Sequence, residues 1–366
     1  MDLMTASTTR FLLEKKYRGF QAPTVRIKVD GIEIVEKLGA GISDVSVDLT
    51  SEYAASGCSF DVVGEYKPAQ TNFRSGGAAK LLQIGAKVEV ELGYVTTETV
   101  FYGLIAEVSY SFERDSAPVI HVECMDAKCL LMKSQRLEIR SEKKVAQLVR
   151  ALLGQQPVSS YLKGKEVILR ETNREPLQFN MESDYDFIVR QAQYLGCEFF
   201  IVAGKAYFRT APLLSAPIMT MSPDAGLMSA TFSLRGAPLV KKVKVVGIDP
   251  ESDREVSGTA TAGGKFGKGA GASRMLSSTE RTYFDPSANS AAQASSRAKI
   301  LMKGIENQFG CLECRCVGLP EIVPGRYIRI SGLMSEAKKS FYITGVRHTM
   351  GVDGYTTSFE ARVDSL

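Results

Sequence analysis

Cys311, Cys314 and Cys316 come nearest to a metal-binding spacing, in the run Cys311-x-x-Cys314-x-Cys316. Structural zinc takes four ligands, commonly from two such knuckles. The chain has no second CxxC, and the nearest histidine, His348, is distant in sequence. On a strand, Cys314 and Cys316 share one face and Cys311 points to the other. Buried core thiols fit this pattern better than a metal site, or than a redox pair lacking a βαβ context. The two histidines, His121 and His348, both fall inside strand patterns. His348 alternates with Tyr342, Thr344 and Val346 and reads as structural rather than as a general base. The glycine run from Ala262 to Gly269 superficially resembles a phosphate loop. It lacks the Lys-Ser or Lys-Thr that must close Gly-x-x-x-x-Gly. No Gly-x-Ser-x-Gly elbow is present. The sequence therefore predicts no catalytic, cofactor-binding or metal site, and no cofactor.

Such chemistry as exists must be positioned by a chain of 366 residues, long enough for two or three domains. Hydrophobic residues make up 44% and charged residues 23%, so whole-chain disorder is excluded. The net charge of +4 is too small to argue for nucleic acid as the main partner, and no sequence-specific recognition of it is expected. The longest apolar run, Phe199 to Ala203, is far below the ~18–20 residues of a membrane span. Met1 to Tyr17 lacks an apolar signal region, so the seven cysteines are expected as reduced thiols in a cytoplasm.

Residues 1–23 read as an N-terminal arm, either a solvated tail or a basic segment that meets an acidic partner. From Thr24 the pattern has period two, with Asp30-Gly31 as a hairpin signal. A first small β-barrel or sandwich is predicted over 24–130. A helical period then takes over: Val145, Leu148, Val149, Leu152 and Leu153 form one stripe, and Ser183 caps a second helix that stops at Gly196. An α+β insertion is predicted over 131–212. A second β-barrel is predicted over 213–366. It would carry a long loop at 249–284, rich in Gly, Ser, Thr and Ala and ordered, if at all, against another subunit. It would also carry an Ala-rich helix at 286–309, begun by Asp285-Pro286. The fold class is thus mainly β with an α+β insertion.

Two stretches carry a family resemblance. Glu182-Ser183-Asp184, Phe187, Arg190, Ala192 and Gly196 stand in the order of a signature of contractile-tail hubs and of the VgrG group of type VI secretion spike proteins. Cys316-Val317-Gly318-Leu319-Pro320, Pro324-Gly325-Arg326-Tyr327-Ile328 and Tyr342 to His348, closing at Gly354-Tyr355, are similar to the C-terminal part of the phage late control D family. Leu92-Gly93-Tyr94 and Phe101-Tyr102-Gly103-Leu104-Ile105 fit that family's first barrel. The resemblance implies two tail-tube-like barrels and a structural baseplate hub, made in the bacterial cytoplasm and assembled into a phage tail or tail-like particle. It further implies a homotrimer that joins a sixfold tail-tube protein above to a separate threefold spike protein below, among other baseplate proteins. A hub-associated cell-wall hydrolase is the alternative from another class; it needs an acid/base pair that the sequence does not single out.

Overall fold

The computed structural model describes residues 3–67, 72–73, 77–114, 116–142, 144–169, 177–211, 216–264, 266, 270–332 and 339–365. The chain opens with a short helix, α1 (Arg10–Lys16), capped by Thr9. Alternating runs then form β1 (Thr24–Val29), β2 (Ile32–Glu33), β3 (Gly41–Thr50) and β4 (Gly57–Val63). A short pair, β5 (Tyr66–Lys67) and β6 (Asn72–Phe73), precedes β7 (Lys87–Gly93), β8 (Thr97–Ser111) and β9 (Val119–Met125). The period-two pattern holds because one face is buried: on β4, Cys58, Phe60 and Val62 point inward.

The insertion begins with α2 (Lys128–Leu131), β10 (Arg136–Ile139) and α3 (Val145–Leu152). It continues through β11 (Gly164–Ile168), β12 (Gln178–Glu182), α4 (Asp184–Leu195), β13 (Cys197–Val202) and β14 (Lys205–Thr210). Its core is its own, with Leu148, Leu152, Phe187 and Ile188 of the helices set against Phe199 and Phe208 of the strands. The last part holds β15 (Thr220–Met221), β16 (Leu227–Leu234), β17 (Lys242–Asp249), β18 (Arg254–Thr261), α5 (Gly271–Leu276), β19 (Glu280–Phe284) and α6 (Ala291–Glu306). It ends with β20 (Gly310–Val317), β21 (Tyr327–Ile330), β22 (Ser340–Gly351) and β23 (Gly354–Val363).

The protein is mainly β with an α+β insertion, as the sequence predicts. The two β parts are not separate bodies, however. One 13-stranded sheet runs β16-β20-β23-β22-β3-β4-β9-β8-β7-β1-β2, with β21 and β15 branching from β22. The halves join where Val45–Thr50 of β3 pair with Gly345–Met350 of β22. Both then contribute to one core, in which Val47, Phe60 and Ile105 lie with Leu312, Ile343 and Phe359.

Four expectations need correction. First, the segment read as an arm is packed: Leu13 and Tyr17 of α1 and its cap are buried in the main core. Second, His348 does not share a face with Tyr342 and Thr344. A β-bulge between Ile343 and Gly345 shifts the phase, so the inward set is Phe341, Ile343, Val346 and His348.

Third, 249–284 is not a long loop. It holds β18, paired with β17 along its whole length, then α5, then β19 on the other side of β17. The expected ordering against another subunit is met within the chain, although residues 265 and 267–269 lie outside the described part. Its small residues are there for close packing. A Cβ on Gly258 would lie 2.1 Å from the Ser295 nitrogen, and one on Gly247 2.0 Å from the Ala288 carbonyl oxygen. Helix α6 therefore lies almost on the strand backbones and buries Ala294 and Ala298 there. An Ala-rich helix could serve contacts between subunits, but this one buries its Ala294 and Ala298 face inside the chain.

Fourth, α6 starts at Ala291, not at Pro286. Ser290 accepts the Gln293 N–H, while the Gln293 side chain accepts the Asn289 N–H, a variant of the capping box. Asp285 instead closes a turn onto Ser287.

Replacing Gly258 by Val should cost about 3 kcal/mol by overpacking α6. Thr259→Val, at the next and outward-facing position, should stay within about 0.5 kcal/mol. Urea unfolding of the two variants checks this.

Candidate functional site

The thiols of the Cys311, Cys314 and Cys316 run sit on β20, where Cys314 and Cys316 enter the main core and Cys311 lies on the other face. Burial raises all three, to about 12 for Cys314. Among the described residues, no three His, Cys, Asp or Glu side chains are grouped to hold a metal. Nor is any described helix long and apolar enough to cross a membrane.

His348 is fully buried. Its Nδ1 lies 3.0 Å from the Tyr355 hydroxyl and 3.0 Å from Thr357 Oγ1. Thr357 Oγ1 in turn accepts the Leu319 N–H at 2.9 Å. Burial pushes His348 down to about 3, against a hydrogen bond with the Ile322 backbone. It is a neutral structural ring, inaccessible to a substrate. His121 is half-exposed, 2.7 Å from Asp61 on the neighbouring strand. In the glycine run, the Gly263 and Gly264 N–H groups donate to Glu306, a carboxylate where a phosphate loop would present phosphate.

The motif residues gather instead at the joints between modules. In α4, Ser183 caps the helix in a capping box with Asp186. The buried Asp184 holds Arg136 at 2.6 Å and accepts from Gln155 at 2.6 Å. Phe187 stacks on Phe179 with centroids 4.3 Å apart. Tyr185 donates to the Tyr53 carbonyl at 2.8 Å, and Tyr53 donates to the Cys197 carbonyl at 2.9 Å. Both bonds tie the insertion to the β3–β4 loop. Lys128 completes that joint. It is fully buried, and its ammonium donates to the carbonyls of Glu52, Tyr53 and Ala54, the last at 2.7 Å. Burial lowers the Lys128 pKa, against the attraction of Asp126.

The Pro324-Gly325-Arg326 stretch forms the second joint. Gly325 has φ +80°, and a Cβ there would strike the Phe200 ring of β13 at 2.6 Å. Arg209 of β14 donates to the Gly325 carbonyl at 2.7 Å, while the buried Arg326 holds the Leu3 and Ala6 carbonyls. Glu198 lies beside Arg209 here. Burial pushes it up to about 7, against Tyr342 and Arg209.

A third joint ties α1 to both β halves. Lys16 lies 2.7 Å from both Glu98 and Glu321, and Tyr17 donates to Glu321 at 2.7 Å. Burial lowers Lys16, but its two carboxylate partners outweigh this and its pKa is raised. Tyr94 donates to the Gly318 carbonyl at 3.1 Å, and a Cβ on Gly318 would enter the Tyr355 ring. Sequence reasoning missed Lys128, Glu198 and Glu321, because nothing in their neighbours marks these charges as buried.

The arrangement fixes three modules in register. Lys128→Met strands three carbonyls and should cost about 3 kcal/mol in urea unfolding. The two shifted groups should also tilt stability with pH in opposite senses. His348 has a folded value near 3 against an ordinary 6.5, so its contribution is full above pH 6.5 and is lost as pH falls toward 3. Glu198 has a folded value near 7 against 4.5, so stability is lost as pH rises between those values. His348→Gln should flatten the acid limb, and Glu198→Gln the limb from pH 4.5 to 7, in unfolding measured across pH.

No curated protein matches the chain. Among solved structures, a 43 kDa tail protein of prophage MuSo2 from Shewanella oneidensis superposes with a TM-score of 0.71 at 12% identity, covering 93% of this chain and 98% of that one. A tail protein from Neisseria meningitidis MC58 gives 0.71 at 13% identity, over 94% and 97%. The E. coli c3393 protein, described as a component of the type VI secretion system, gives 0.56 at 12% identity, over 92% and 76%. At these identities the likeness is one of fold. A family model described as Alg8 N-terminal domain matches residues 21–351. The chain therefore belongs to the Alg8 N-terminal domain family, and it shares its fold with these tail proteins.

Proposed function

We propose that this chain is a structural baseplate hub of a contractile tail or related injection particle, not an enzyme. Three copies close around the particle axis and adapt the sixfold tail tube above to a threefold spike protein below. Other baseplate proteins surround them. The observation that carries this reading is the fold match along nearly the full length of two tail proteins. The site chemistry supports it: the residues that resemble hub motifs bind modules to each other, as a load-bearing part requires. The two tube-like parts are those predicted over 24–130 and 213–366. With two such parts per chain, three copies present six like surfaces, which resolves the symmetry mismatch.

Reconstruction of the whole particle tests this. Three copies on the axis between tube and spike are expected. One copy, six copies or an off-axis position would sink the reading, and peptidoglycan release by the purified chain would favour the hydrolase instead.

A further inference from the structure

The seven cysteines are free thiols, and six of them are buried. One pair differs from the rest in placement. The antiparallel register of β4 and β9 sets Cys58 directly opposite Cys124. Cys311, Cys314 and Cys316 stand opposite other residue types on both neighbouring strands, and so does Cys197 on its one neighbour.

Directly opposite residues in an antiparallel pair point to the same face, with Cα atoms about 4.5–5.5 Å apart. A disulfide bridges Cα separations of about 4.4–6.8 Å. Cys58 and Cys124 both project into the main core and are 4% and 2% exposed. The register thus places the pair within the span that a disulfide bridges. The bridge would close a loop of more than sixty residues across the middle of the first β half, a length at which a cross-link restricts the unfolded chain strongly.

We propose that Cys58 and Cys124 are a latent cross-strand disulfide, closed when the chain meets a disulfide oxidant such as oxidised glutathione. One cysteine, as thiolate, attacks the oxidant and releases one glutathione thiolate, leaving a mixed disulfide. The second cysteine then displaces the remaining glutathione. Two protons leave the protein thiols, the two thiols are oxidised by two electrons, and the oxidant is reduced to two glutathiones. Burial raises the pKa of both thiols, so little thiolate is present at neutral pH. Exchange therefore runs through transient opening of β4 from β9 and is slow in the native state. The proposal is independent of the tail reading.

The test incubates the folded full chain with oxidised glutathione at pH 8, with and without urea well below the unfolding midpoint. Free thiols are then alkylated under denaturing conditions and the digest is analysed by mass spectrometry. A linked pair of peptides carrying Cys58 and Cys124 and lacking two hydrogens is expected, with the other five cysteines alkylated. Urea should accelerate its formation. The oxidised protein should melt several degrees above the same sample after reduction, a control that needs no variant. In Cys58→Ala, Cys124 should stay alkylated and the shift should vanish. Full alkylation of Cys58 and Cys124 in both arms, or linkage of either to another cysteine, would overturn the proposal.

Discussion

The ladder between β3 and β22 is the constraint on which everything else rests. Six residue pairs, from Val45 with Met350 to Thr50 with Gly345, bind segments about 300 residues apart in sequence. Without this ladder the main sheet would be two sheets, with β3 and β22 as added edges. With it the two β halves share one 13-stranded sheet and one main core, to which Leu13 and Val363 both contribute. The bulge at Gly345 belongs to the same constraint: it turns His348 inward, where the ring meets Tyr355 and Thr357, and leaves Arg347 outward on Asp48 at 2.5 Å.

Around this frame the modules are held by buried polar groups more than by apolar contact alone. Lys128, Arg209 and Arg326 each direct charged donors at backbone carbonyls of another segment. A charged donor on a carbonyl is a strong bond, and removing it leaves the carbonyls unsatisfied. Such contacts set position as well as energy, because only one docking geometry satisfies them. This explains why motifs that resemble those of hub proteins turn out to be capping boxes, tight glycines and carbonyl clamps rather than reactive groups.

Much of the frame was legible in the sequence. The alternation in β1, β4 and β7 and the stripes of α3 and α4 require one buried face each, and that requirement writes itself into period. What stayed hidden depends on distance in space. Gly258 and the Ser and Thr around it look like loop composition until α6 is seen lying on the strand backbone. The Ser290-x-x-Gln293 cap competes with Asp285-Pro286, and geometry decides for the former. The joints were half visible: Gly325 and Arg326 stood out as a motif, whereas Lys128 and Glu321 looked like ordinary surface charges.

The position of β22 bears on how the chain acquires its structure during synthesis. The insertion and the α6 layer each have a core built from nearby sequence and can form as soon as they emerge. β3 cannot be completed in this way. Until β22 leaves the ribosome, its outer edge is a row of unsatisfied backbone groups beside exposed apolar side chains. The nascent first half is thus vulnerable to mispairing with other nascent chains until β22 emerges. A chain cut before β22 would therefore present the edge of β3 unpaired.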